Sequence, residues 1–123
     1  MLSTDTALHE LRRALEHPPA SGPSLGTWRW SVRQRMAAVR DLLIRETDTL
    51  GDAWLAARQG ASLRERNALL TRLGALGPKL LETHEVEPVR DELLRLLGDI
   101  DRHLQRLRDL AYDEVELELG GSE

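Results

Sequence analysis

The sequence predicts an all-α fold: an antiparallel helical bundle of three main helices, plus a short N-terminal helix and an extended acidic C-terminal tail. Three observations lead there. Apolar residues recur at spacings of three and four over long stretches, which is the helical period. The apolar material is mostly Leu, Ala and Val, with three Trp, one Tyr and no Phe. Such a core suits packed helices better than a sandwich or barrel, which would draw on aromatic and β-branched residues. And no segment before residue 113 alternates with period two. A chain of 123 residues has room for one domain of ordinary size.

The first helix is expected over residues 4–17, where Leu8, Leu11 and Leu15 share a face with Ala7 and Ala14. Ser3, Thr4 and Asp5 offer N-caps, and Pro18 and Pro19 end it. Residues 18–26, PPASGPSLG, read as a flexible linker that lets the first helix dock loosely or on another subunit. The second helix is expected from Thr27 to Gln59. Val32, Met36, Val39, Leu43, Thr47, Leu50, Trp54 and Ala57 form one stripe there, on a helix about 50 Å long. Gly51 is its weak point and Gly60 its stop.

The third helix, 62–83, opens with Ser62, Leu63, Arg64, Glu65, the pattern of a capping box. Leu69, Leu73, Leu76 and Leu80 follow, and Gly77-Pro78 should kink or break it. The fourth, 88–111, begins at Pro88. It carries Val89, Leu93, Leu96, Ile100, His103, Leu107 and Leu110 on one stripe, with Leu94, Leu97 and Leu104 widening the face. Short connections make these three helices antiparallel neighbours. The organisation is therefore an N-terminal helix (1–17), a linker (18–26), a bundle (27–112) and a tail (113–123). The second helix outruns the third before its Gly-Pro break. Part of its stripe then needs cover from the first helix or from a second copy, so a homodimer is expected.

Charge is polarised along the chain. Residues 27–45 hold five Arg against one Asp, and residues 109–123 hold six acids and no base. The overall net charge is −4, which argues against bulk nucleic-acid binding. Within the basic stretch, Trp28 shares a face with Val32 and Met36 and belongs to the core; Trp30 points elsewhere. Arg29, Arg33, Arg35 and Arg40 crowd the same helix start, where positive charge opposes the macrodipole. Either Trp30 covers the linker or first helix and the arginines pair with acids, or Trp30 and these arginines form a partner-binding site. In the tail, an extended chain would put Val115, Leu117 and Leu119 on one side and the glutamates on the other. Such a tail can be disordered, lie across its own bundle or a dimer mate, or add to another protein's sheet edge or groove.

Catalytic and metal chemistry find little support. There is no Cys, so thiolate ligands and nucleophiles are excluded. No Glu has a His three residues later, so the carboxylate-bridged di-iron pattern is missing. No G-x-S-x-G or phosphate loop is present. His103 sits in the core stripe, either as a histidine with one nitrogen hydrogen-bonded or as a pH-sensitive group. No metal and no cofactor are expected. No apolar run reaches the ~18 residues of a membrane span, and residues 1–17 lack the pattern of a signal peptide; a cytoplasmic protein without membrane contact is expected.

From RDLLIRE to the ending AYDEVELELGGSE, the sequence resembles short helical proteins of unknown function from high-GC actinobacteria. That resemblance implies a bacterial origin, to which the Arg-for-Lys bias also points, and no particular activity. The bundle shape is similar to that of hemerythrin-like proteins, but their histidine pattern is absent here and no site carries over. The reading is a non-catalytic interaction or assembly module acting through the Trp/Arg-rich helix start and the acidic tail. A second protein could be bound through the tail. The alternatives are a nucleic-acid-binding regulator with the tail as competitor, and a degenerate metal-dependent sensor or enzyme.

Overall fold

The computed structural model describes residues 4–19, 22–48 and 56–120. Four helices account for nearly all of them: α1 (Thr4–Glu16), α2 (Pro23–Asp48), α3 (Ala56–Glu82) and α4 (Val86–Gly120). No strand occurs among the described residues. Each helix turns its apolar stripe into one shared core, built chiefly of leucines from all four. Contacts run α1 to α2, α2 to α3, α3 to α4 and α4 back to α1, so the helices close a ring.

The first helix is a full member of that ring. Ala7, Leu8, Leu11 and Leu15 are buried against α2 and α4 of the same chain, rather than docked loosely or on another subunit. Burying a leucine side chain stabilises by about 1.5–3 kcal/mol, so three on one short face hold it firmly. Its partners on α4 come in reverse order: Asp5 meets Arg108, Arg12 meets Asp101, and Leu15 meets Arg90. The connection to α2 is also shorter than the linker expected over 18–26. Gly22 takes φ +85°, which suits a residue without Cβ. Pro23 then starts α2 in its favoured first position, and the Leu25 N–H closes onto the Gly22 carbonyl at 3.0 Å.

The single helix expected from Thr27 to Gln59 is two. α2 ends at Asp48 and α3 begins at Ala56. Val32, Met36, Val39 and Leu43 are buried as the stripe requires; Leu50 and Trp54 lie outside the described residues. A 26-residue α2 beside a 27-residue α3 removes the length mismatch from which a homodimer was expected. Because α3 starts early, Ser62 lies well inside it. The Ser62–Glu65 capping box therefore does not form, and Gly60 is an interior residue.

Gly77-Pro78 neither splits α3 nor ends it: the helix runs through to Glu82. A proline's ring normally clashes with the backbone and Cβ of the residue before it when that residue is helical; glycine has no Cβ to clash. Gly77 also lies where α2 comes closest. A Cβ placed on it would fall 2.8 Å from Arg33 Nε and 2.9 Å from Cζ. At the C-terminus, the extended tail expected from residue 113 is replaced by helix, since α4 continues to Gly120. A lone strand would leave its backbone donors and acceptors without partners, and Glu, Leu and Ala are good helix formers. The side chains of Val115, Leu117 and Leu119, and residues 121–123 altogether, lie outside what is described.

Gly77→Ala tests which contact requires the glycine. Alanine has the better helix propensity, worth about 1 kcal/mol, and the end of the Arg33 side chain can swing aside, but a Cβ before Pro78 restores the clash that the glycine removes. Urea titration should show a net loss of about 1 kcal/mol, and adding Arg33→Ala should leave most of that loss in place.

Candidate interaction surfaces

The Trp-Arg stretch is resolved residue by residue, and most of it works inside the protein. Helix C-termini leave four carbonyls without donors and carry partial negative charge. Trp28, buried, donates its indole N–H to the Ala14 carbonyl at 2.7 Å. Arg29 donates to the carbonyls of Leu80 and Leu81, both at 3.1 Å. Arg90, from the start of α4, donates to the Leu15 carbonyl. The last turns of α1 and α3 are thus closed by side chains from neighbouring helices. The sequence demanded compensation for positive charge on α2. Part of it is the negative end of α3, which receives Arg29.

The remaining arginines do not assemble into one patch. Arg33 lies over Gly77 on the α3 side. Arg35 turns toward α1, where it meets Glu10 at 3.3 Å and keeps its Nε buried without a partner. Arg40 pairs with the adjacent Asp41 at 3.6 Å, both exposed, an arrangement worth little. Trp30 stands 62% exposed, the most exposed large apolar side chain described.

At the opposite end of the helices lies a polar group that sequence reading placed only by half. His103 is 1% exposed, the one buried polar or charged side chain among the described residues. Its Nδ1 is 2.6 Å from Glu65 Oε1, and the same oxygen receives Arg106. An ionised carboxylate only accepts, so Nδ1 carries a proton. Nε2 is buried with no partner among the described residues. Glu65 was expected to cap α3 and instead joins α3 to α4. The available signal was spacing: Glu65 precedes Leu69 by four and so continues the buried stripe backwards. Burial alone would raise the Glu65 carboxyl; hydrogen bonds from Arg106 and His103, with their charges, outweigh it and hold it below the ordinary range. Asp99 is also held low, first by the hydrogen bond from Arg72 and further by Arg102.

No group of three or more potential ligands gathers around a metal-sized space among the described residues. None of the described helices is long and apolar enough to cross a membrane. Compared with known proteins, the chain matches no family model, no curated protein and no solved structure.

The Glu65 geometry fixes the sign of an acid effect. A carboxyl held low in the folded state contributes stability that is complete above its unfolded value, about 4.3. That stability is lost as pH falls through the lower folded value. Glu65→Gln should therefore melt below the wild type at pH 7, and the two melting curves should converge toward pH 3. A constant gap across that range would show that the carboxylate's charge is not what matters.

Proposed function

We propose that this protein is a non-catalytic interaction module: an antiparallel bundle that binds other protein surfaces through the outer face of α2 and through its acidic C-terminal end. The observation that carries the reading is Trp30. Two tryptophans stand two residues apart on one helix, and the fold treats them oppositely. Trp28 is 8% exposed and hydrogen-bonded, while Trp30 is 62% exposed. Scattered exposed apolar residues are ordinary. A tryptophan, though, offers a large, rigid contact area, and it is enriched among residues that dominate binding energy. The arginines around it favour a protein partner over a nucleic acid. Arg29 and Arg35 are already held by carbonyl and carboxylate oxygens of the chain itself, so few are free to track phosphates. Self-association into a homodimer stays in the reading on charge rather than on helix length: residues 27–45 hold five Arg against one Asp, and residues 109–123 hold six acids and no base.

Trp30→Ala separates binding from folding. As a surface change it should move stability by no more than about 0.5 kcal/mol. Trp28→Ala should cost about 3–5 kcal/mol. In affinity capture with the full chain as bait, Trp30→Ala should lose the proteins retained by wild type. Retention unchanged by Trp30→Ala would remove that residue as the anchor.

A further inference from the structure

We propose that the groove between α3 and α4 receives the acidic end of α4 from a second copy of this chain. The inference rests on the reading that the protein self-associates, and it assigns the surface that does so.

The groove is a basic strip on an acidic protein. Two clefts of about 300 and 230 Å³ meet at Arg72, which lines both. Together they present five basic side chains, Arg72, Lys79, Arg95, Arg102 and Arg106, against the carboxylates of Glu65, Glu92 and Asp99. Two of those carboxylates are already committed: Asp99 holds Arg72 and Arg102, and Glu65 holds Arg106 and His103. Lys79 and Arg95 have no ion pair among the described residues, and both are exposed. The floor suits a polypeptide. Leu69 and Leu76 supply apolar surface, and Ala68 and Ala75 leave room above it.

The occupant is indicated by α4. Asp5, in the first turn of α1, pairs with Arg108, so α4 runs twelve residues beyond that contact to Gly120. That stretch reaches about 18 Å past α1, with the start of α3 from Ala56 beside its first part, and the groove from Glu65 to Lys79 runs about 21 Å along α3. Residues 109–120 include five acids and no base. Acids concentrated at a helix C-terminus oppose its dipole, and α4 has no basic residue in its last turn to offset them. A basic groove supplies that offset. The chain's own groove cannot, because α4 is one of its walls and its end leads away from it. Two copies meeting end to end about a two-fold axis can each lay this segment along the other's groove, an isologous arrangement that closes on itself.

Charge reversal tests the pairing in the full chain. Sedimentation equilibrium would compare wild type, Lys79→Glu with Arg95→Glu, Glu116→Lys with Glu118→Lys, and all four changes together, with helicity checked by circular dichroism. Wild type should dimerise, each pair of reversals should weaken the dimer by about tenfold or more, and the fourfold variant should recover to near wild type. A wild-type dimer indifferent to the reversals would overturn the groove assignment and leave self-association standing. Weakening by both pairs without recovery in the fourfold variant would also overturn it. A wild type that stays monomeric at every concentration would overturn both.

Discussion

Long side chains reaching the open carbonyl ends of neighbouring helices hold this protein together at one end. A helix C-terminus tucked among other helices loses water from carbonyls that have no internal donor, and the cost must be met locally. Trp28 closes α1, Arg90 closes α1 from the other side, and Arg29 closes α3. All three donors come from near the start of α2 or α4. Those starts lie beside the ends of α1 and α3, so their donors meet the negative poles. Arg29, which looks misplaced on α2 in isolation, is well placed once the end of α3 is beside it.

The other end is organised differently. There the α3–α4 contact turns on His103, Glu65 and Arg106. A buried imidazole with one nitrogen satisfied and one not is a costly way to fill a core. Leucine would pack as well without an unpaired nitrogen. What the polar group adds is directionality: a histidine that must meet Glu65 fixes how α3 and α4 slide past each other, where a row of leucines would accept several registers. Arg72 and Asp99 repeat the constraint about two turns along α3 and one along α4.

The apolar stripes were readable because they depend on local spacing. Leu8, Leu11 and Leu15 on α1, Val32 to Leu43 on α2, Leu69 to Leu80 on α3 and Val89 to Leu107 on α4 are all buried where their period puts them. Boundaries failed where a local rule has more than one outcome. Ser62 and Glu65 satisfy the cap pattern, but Glu65 gains more from His103 and Arg106 across the groove. Gly77-Pro78 satisfies the break pattern, but the glycine removes the clash between the proline ring and a preceding Cβ. Asp113–Leu119 satisfies strand alternation, but no strand occurs among the described residues to pair with it. Among the candidate contact residues, Trp30 was legible because its neighbours' stripe excludes it. The roles of Arg29 and Arg35 were not, since their acceptors lie 51 and 25 residues away in sequence.

The placement of α1 has a consequence for how the chain is made. α1 finds α2 soon after both leave the ribosome, but its second wall, α4, is synthesised only after α3. Arg90, Asp101 and Arg108 meet α1 across 75, 89 and 103 residues of chain. Until α4 emerges, α1 and α2 form a hairpin with half of its leucine face in water. The ring closes only once α4 has emerged, and a chain truncated before α4 would leave that face to whatever apolar surface is nearest.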